Sequence, residues 1–166
     1  MTSDTQRQWL EGVPGDLLRT AIRRVTEPVG DRMSSQALAT AGLVISATTT
    51  KAKIGSTDFY GIANGQLVTI ANGTDMPALV GTITAASYNV FCFFVDAASA
   101  VTVAMGTEST TLAGIVFPQF PKNKALVGFL IVTYASTFTG GSTALNTATT
   151  VYVSPIGAFD PTVLTG

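Results

Sequence analysis

Histidine is absent from this 166-residue chain, and both cysteine and charged residues are scarce. Without histidine, the chain cannot build a Ser-His-Asp or Cys-His catalytic group, nor a zinc site with imidazole ligands. Its single cysteine, Cys92, excludes an intramolecular disulfide and any cluster of thiolates. Only 11% of the residues are charged, less than half of the ~25% that is typical of globular proteins. The composition thus excludes several classes of enzyme and metalloprotein.

Further absences concern nucleic acid and membranes. The formal net charge is −1, so the chain lacks the basic surface that binds nucleic acid. The apolar runs at residues 90–95 and 125–132 are far shorter than the ~18 residues of a membrane-spanning helix. The first residues are polar and charged, without the apolar stretch of a secretory signal. We therefore expect no nucleic-acid partner and no membrane partner.

The few charges are distributed unevenly along the chain. Residues 1–32 carry ten charged side chains, including all five arginines, whereas the remaining 134 residues carry nine, including all four lysines. The composition changes at about residues 33–37. We therefore predict two parts: a charged N-terminal arm at residues 1–35 and a body at residues 36–166.

The arm contains one predicted helix, near residues 15–26. Asp16 can cap its free backbone N–H groups, and Pro28 and Gly30 are expected to end it. Apolar residues recur at helical spacing, and three arginines fall mostly on the other side. Because so short a helix is marginal in water, its apolar stripe has to dock on the body or on a partner. The candidate docking residues are Leu17, Leu18, Arg19, Ile22, Arg23, Arg24 and Val25.

The body has the pattern of short β-strands. We predict strands at residues 59–63 and 66–70, joined by the hairpin turn Asn64-Gly65, and further strands at 88–95, 101–105, 125–134 and 151–153. Residues 88–95 and 125–134 are apolar at almost every position, which is typical of strands buried on both faces. The fold expected over about residues 36–157 is mainly β: an antiparallel β-sandwich or a jelly-roll-like barrel.

The expected surface of the body is polar but carries little charge. Solitary soluble β domains usually protect their sheet edges with charged side chains. With nine charges in 134 residues, this body is expected to be covered by copies of itself or by a large partner. The alternative is a monomer whose surface is polar and uncharged.

The sequence predicts no catalytic, cofactor-binding or metal-binding residue in the body. Cys92 lies within an apolar run and is read as a core residue. Residues 72–75 resemble a turn more than a calcium loop, and the glycine-rich residues 138–142 are read as a loop. A carbohydrate hydrolase would need two placed carboxylates. The candidates in the body are Asp58, Asp75, Asp96, Glu108 and Asp160.

One stretch of the body, from about residue 79 to residue 150, resembles a known group of proteins as a whole. The resemblance is carried by Tyr88-Asn89-Val90-Phe91-Cys92-Phe93-Phe94-Val95-Asp96-Ala97, Val101-Thr102-Val103, Gly106, Phe117-Pro118, Pro121, Ala125-Leu126-Val127-Gly128-Phe129-Leu130-Ile131-Val132 and Phe138-Thr139-Gly140-Gly141-Ser142-Thr143-Ala144-Leu145. This order is similar to small β-rich structural proteins of tailed bacteriophages, of the kind that decorate or cement the capsid.

The resemblance implies a function and a set of partners. The chain is expected to be a homotrimer that binds the major capsid protein on the outside of the virion, after synthesis in the host cytoplasm. It implies no enzymatic activity and no cofactor. Similar patterns occur in head fibres and tail-associated fibre proteins, so a receptor-binding module is the alternative. The aromatic residues that such a module would expose are Tyr60, Phe120, Tyr134 and Phe138.

Overall fold

A computed structural model describes residues 17, 19, 20, 22–24, 30 and 33–159. Within residues 33–159 the chain forms eleven β-strands and one short 3-10 turn at Leu112–Gly114. The strands are β1 (Gln36–Ala37), β2 (Val44–Ile45), β3 (Ala52–Lys53), β4 (Phe59–Ala63), β5 (Gln66–Ile70), β6 (Thr82–Ile83), β7 (Tyr88–Val95), β8 (Val101–Met105), β9 (Ala125–Thr133), β10 (Phe138–Thr139) and β11 (Thr149–Val153). The prediction of a mainly β fold is confirmed.

These strands pair in four sheets, and every pair is antiparallel. The largest sheet has four strands in the order β11-β9-β7-β8, and the second has three in the order β1-β4-β5. Strand β2 pairs with β3, and β6 pairs with β10. Among the described residues no sheet closes into a barrel.

The two larger sheets share one hydrophobic core, which we call the main core. Strands β4 and β5 contribute side chains such as Phe59 and Val68, and β7 and β9 contribute Phe91, Phe93 and Leu130. All five are almost completely buried. Two sheets packed face to face over a common core form the arrangement of a β-sandwich, so the sandwich describes this body better than the barrel.

The hairpin of β4 and β5 forms where the sequence predicts it. Asn64 and Gly65 have φ angles of 51° and 77°, which are the positive values that a type I′ turn requires. Ala63 pairs with Gln66 directly beside the turn. Positive φ costs Asn and Gly little, so these two residues set the register of the hairpin.

The other face of the four-stranded sheet packs on a second group of residues, which we call the second cluster. Alternate residues of β7 point into it, namely Val90, Cys92 and Phe94. It is covered by residues 111–121, the covering segment, whose regular structure is limited to the 3-10 turn. The segment contributes Ile115, Phe117 and Phe120. The predicted burial of β7 on both faces is therefore confirmed.

Short strands are where the sequence prediction was incomplete. The predicted strands correspond to β4, β5, β7, β8, β9 and β11, whereas the two-residue strands β1, β2, β3, β6 and β10 were not predicted. The reading of residues 138–142 as a loop was wrong at its start, because Phe138 and Thr139 form β10 and pair with Ile83 and Thr82. Pairs this short have no detectable alternation, so only their partner strand defines them.

The described residues of the N-terminal arm are helical up to Ser34, and Ser35 lies in a bend. Residues 17, 19, 20 and 22–24 have helical conformation, within the helix predicted at 15–26. Gly30, Met33 and Ser34 are helical too. The predicted end of the first helix at Pro28 and Gly30 stays a prediction, because residues 25–29 lie outside the described residues. Asp16 and Pro28, the other predicted helix signals, lie outside the described residues. No helix in the described part of the chain has the length and apolar character needed to cross a membrane.

Candidate functional site

The predicted docking residues of the arm are accessible wherever the structure describes them. Leu17 is 61% exposed and Ile22 is 52% exposed. Arg19, Arg23 and Arg24 are exposed as well. Leu18 and Val25 lie outside the described residues. Leu17 and Ile22 therefore keep more than half of their surface exposed.

The body also exposes large apolar side chains. On the β4–β5 hairpin, Tyr60 is 43% exposed and Leu67 is 68% exposed. Similar exposure occurs at Leu38, Val44, Val80, Leu112, Val116, Val151 and Ile156. Strands β5, β8 and β11 lie at sheet edges, and none of them contains a charged residue. These edges lack the charged side chains that usually discourage pairing with another strand.

The carboxylates of Asp58 and Asp75 are engaged in local structure. Asp58 Oδ1 accepts a hydrogen bond of 2.8 Å from the backbone N–H of Asn72. Asp75 Oδ1 accepts one of 2.6 Å from the hydroxyl of buried Ser46. Residues 72–75 thus belong to a turn in which Asp75 already has a partner. The described residues contain no group of three or more Cys, Asp and Glu that could hold a metal ion.

Asp96 and Glu108 have similar local roles. Asp96 Oδ1 accepts hydrogen bonds of 3.0 Å from the backbone N–H groups of Ala98 and Ala100, inside the β7–β8 turn. Glu108 accepts bonds from Thr84, 2.6 Å from its hydroxyl and 2.8 Å from its N–H. These bonds lower the pKa of Glu108, with the hydroxyl bond the larger cause. Asp160, the remaining acidic candidate, lies outside the described residues.

Cys92 is a core residue, as predicted. Its side chain is completely buried in the second cluster. Burial in apolar surroundings strongly raises the pKa of the thiol, because the thiolate would lose its hydration. A thiol in this environment is a poor nucleophile.

An open pocket of about 390 Å³ lies at one end of the four-stranded sheet. Its volume falls in the lower part of the ~300–1,000 Å³ range of small-molecule sites. The pocket is lined by Ala86, Tyr88, Thr133, Tyr134, Ala135, Thr147 and Thr149. None of these residues is charged.

Strand register brings three of the lining residues into one row. Tyr88 of β7 lies opposite Thr133 of β9, which lies opposite Thr149 of β11. Residues directly opposite each other in antiparallel strands point to the same face. The backbone N–H of Ala86 donates a 2.8 Å hydrogen bond to the carbonyl of Tyr134 and ties the turn before β7 to the end of β9. The pocket therefore rests on a rigid sheet end.

Most hydroxyl groups of the pocket's lining residues have no hydrogen-bond partner within the described part of the chain. The hydroxyl of Thr147 donates a 2.8 Å bond to the carbonyl of Ala144. Across residues 33–159, the hydroxyls of Tyr88, Thr133, Tyr134 and Thr149 make no hydrogen bond. Four lining residues of the pocket therefore carry a hydroxyl that is free to bind a ligand or water.

The four aromatic residues singled out in the sequence have different environments. Tyr60 is exposed and Tyr134 lines the pocket. Phe120 packs edge-on against Phe94, with ring centroids 5.1 Å apart. Phe138 is completely buried in the main core, so its predicted exposure was wrong. The rest of the pocket was missed, because a row across three strands depends on register.

Comparison of the chain with protein-family models, with curated proteins and with solved structures gives no match. The absence of a match favours no class of function over another. A functional proposal therefore depends on the residues and geometry of this chain alone.

Proposed function

We propose that this protein is a structural component of a tailed-bacteriophage virion that binds the outside of the capsid shell and stabilises it. One observation carries the proposal: the body exposes large apolar side chains on a surface that has almost no charge. Exposed apolar surface without charged edges is typical of a surface that is covered in an assembly. The resemblance of residues 79–150 to capsid decoration proteins supplies the kind of assembly.

The arm supplies the second contact with the shell. Burying a large apolar side chain such as Leu17 or Ile22 stabilises a complex by about 1.5–3 kcal/mol. Arg19, Arg23 and Arg24 can each form paired hydrogen bonds with a carboxylate of the capsid protein. The apolar side chains supply most of the affinity, and the arginines mainly fix the orientation. The competing role for these arginines is salt bridges with acidic residues of the arm itself.

The proposed assembly is a homotrimer on the major capsid protein. The number of subunits comes from the resemblance, and the uncharged faces of the body are the proposed contacts between copies. The protein acts without enzymatic activity, cofactor or nucleic acid, and it reaches the virion exterior after synthesis in the host cytoplasm.

Electron microscopy of virions purified with and without this protein tests the proposal. We expect extra density on the outer surface of the shell only when the protein is present. Density confined to the tail, or no difference between the two samples, contradicts it. Light scattering that gives a mass near 17.1 kDa at micromolar concentration contradicts the trimer.

A truncated chain that starts at Ser34 tests the role of the arm. We expect the truncated protein to fold and to lose binding to shells. The double variant Leu17→Asp/Ile22→Asp, which keeps the full chain, is expected to lose binding as well. Arg23→Lys is expected to weaken binding less, because it keeps the charge and the apolar side chains while losing the paired hydrogen bonds. Shell binding equal to that of the full-length protein in both altered chains contradicts the docking role of the arm.

A head-fibre or tail-associated receptor-binding module is the second candidate function. The pocket that contains Tyr88 and Tyr134 favours it, because such a module needs an accessible site with aromatic and polar groups. The same electron microscopy separates the two, since a fibre module would appear at a fibre or at the tail.

A further inference from the structure

We propose that the pocket at the end of the four-stranded sheet binds a neutral saccharide, one or two sugar units in size. This proposal is independent of capsid binding, because it rests on the lining of the pocket alone. It concerns binding without cleavage, since none of the described lining residues carries a carboxylate.

The absence of charge in the lining selects the class of ligand. Phosphates and carboxylates are recognised in proteins chiefly by Arg, Lys or clustered backbone N–H groups. The described residues that line the pocket include no Arg or Lys and no acidic residue that would attract a cation. A neutral polar ligand therefore fits this site better than an ion.

The hydroxyl groups match a ligand that is itself rich in hydroxyls. Each hydroxyl of Tyr88, Thr133, Tyr134 and Thr149 can donate one hydrogen bond and accept others. Sugar hydroxyls have the same dual capacity, so donors and acceptors can be matched around a ring. A purely apolar ligand would instead displace water from these four hydroxyls without replacing its hydrogen bonds.

The aromatic rings supply the other half of the recognition. A pyranose has apolar C–H faces as well as hydroxyls, and a tyrosine ring offers an apolar surface next to a polar hydroxyl. Tyr88 packs partly on the second cluster and Tyr134 partly on the main core, and both are half-buried residues of the pocket lining. The combination of two tyrosines and several threonines suits a ligand with both kinds of surface.

The pocket is held in place before any ligand arrives. The row of Tyr88, Thr133 and Thr149 is fixed by backbone pairing across three strands. On the pocket wall, Ala86 adopts a φ of 59°, a left-handed conformation that alanine rarely takes. Its N–H is bonded to the carbonyl of Tyr134, and this bond helps to hold the conformation. A preformed site loses less affinity to ordering when the ligand binds.

The experiment is a titration of the ¹⁵N-labelled full chain, followed by NMR chemical shifts. The probes are the methyl glycosides of glucose, galactose and N-acetylglucosamine, together with glucose 6-phosphate. We expect saturable shifts at residues 86–88, 133–135 and 147–149 for at least one glycoside, with a dissociation constant of the order of 1 mM. Glucose 6-phosphate is expected to bind no more tightly than methyl glucoside.

Two variants in the pocket have matched controls elsewhere on the body. Tyr134→Ala removes an aromatic ring, and Thr149→Val replaces a hydroxyl by a methyl of similar size. Each is expected to weaken glycoside binding about three- to tenfold. The controls Tyr60→Ala and Thr69→Val change exposed residues of the β4–β5 hairpin and are expected to leave the affinity unchanged.

Several results would overturn the proposal. One is that no glycoside produces saturable shifts at about 50 mM, a concentration well above the expected dissociation constant. Another is that the shifts are confined to residues outside the pocket. Equal affinity in Tyr134→Ala, Thr149→Val and wild type contradicts it too. Tighter binding of glucose 6-phosphate shows that the ligand class is wrong. None of these results affects capsid binding, which is measured separately.

Discussion

The two faces of the four-stranded sheet are both buried, but by different kinds of structure. One face packs on the three-stranded sheet through the main core, and the other packs on the irregular covering segment through the second cluster. Strand β7 alternates between them, with Phe91 and Phe93 on one side and Cys92 and Phe94 on the other. An all-apolar strand therefore indicates that both of its faces are covered. It does not indicate whether a sheet or an irregular segment covers them.

Aromatic contacts compensate for the lack of regular structure on the second face. The ring of Phe117 lies edge-on to Phe129, with centroids 5.2 Å apart and an angle of 87°. Phe159 stacks on Phe120 at 5.8 Å. Such ring pairs contribute about 0.5–1.5 kcal/mol beyond the burial of their area. Val116 of the covering segment also pairs with Thr107, just after β8. The N–H of Thr107 donates a 2.8 Å hydrogen bond to the carbonyl of Val116, and the N–H of Val116 donates one of 3.2 Å to the carbonyl of Thr107.

The largest expected effect on stability comes from comparing a phenylalanine of the main core with one of the covering segment. Phe93 is completely buried between the two sheets, so Phe93→Ala leaves a cavity and is expected to lower the free energy of unfolding by about 3–5 kcal/mol. Phe120 in the covering segment is half-buried, so Phe120→Ala is expected to cost about 1–2 kcal/mol. Urea denaturation measures both. Equal losses would mean that the covering segment is as integral to the core as the second sheet.

Gly106→Ala tests how closely the covering segment approaches the sheet. A Cβ at this position would overlap the carbonyl oxygen of Val116 and lie 2.6 Å from a methyl of Val90. We expect a loss of about 1–3 kcal/mol. Faster hydrogen exchange is expected at the amides of Thr107 and Val116, because the hydrogen bonds between these two residues hold the covering segment against the end of β8. Exchange in the β4–β5 hairpin serves as the control, and acceleration there of the same size contradicts a local effect.

Tyr152→Phe tests the packing of the four-stranded sheet on its other face, against the main core. Tyr152 lies on edge strand β11, and its buried hydroxyl has no hydrogen-bond partner among the described residues. Loss of hydration raises the pKa of this hydroxyl. Removing it while keeping the ring is expected to stabilise the fold by up to about 1 kcal/mol. A thermal unfolding midpoint below that of wild type would show that the hydroxyl has a partner after all.

The smallest expected effect concerns the acid dependence of Glu108, just before the covering segment. Its bonds from Thr84 lower its pKa in the folded state. The carboxylate therefore stabilises the fold above its unfolded pKa of about 4.3, and this contribution is lost as the pH falls through the lower folded pKa. The difference in unfolding free energy between wild type and Glu108→Gln is expected to be constant above about pH 6 and to shrink on acidification. A difference that grows below pH 4 contradicts this sign.

Local signals in the sequence predict the long strands well. The Asn64-Gly65 turn identifies its hairpin because few residue pairs tolerate two positive φ angles. Likewise, the apolar run of residues 88–95 identifies β7 because water has to be excluded from both of its faces. These features depend on neighbours in the chain. They can therefore be read without knowing the tertiary structure.

The pocket and the covering segment could not be predicted in the same way. Thr133 and Thr149 face Tyr88 only because β9 and β11 pair in one particular register. Phe117 and Phe120 lie in a proline-containing stretch, where the sequence gives no periodicity that would show which side they pack on. Features of this kind depend on contacts between distant parts of the chain.

The bridge between Ala37 and Gly157 constrains the order in which this protein can fold. The N–H of Gly157 donates a 2.7 Å hydrogen bond to the carbonyl of Ala37, at the opposite end of the body. Strand β6 pairs only with β10, which follows it by more than 50 residues, and edge strand β11 pairs with β9. Topologies dominated by such long-range pairs fold slowly, commonly in milliseconds to seconds. During synthesis, the Ala37–Gly157 bridge and the β9–β11 pairing can form only after the C-terminal end of the body has left the ribosome.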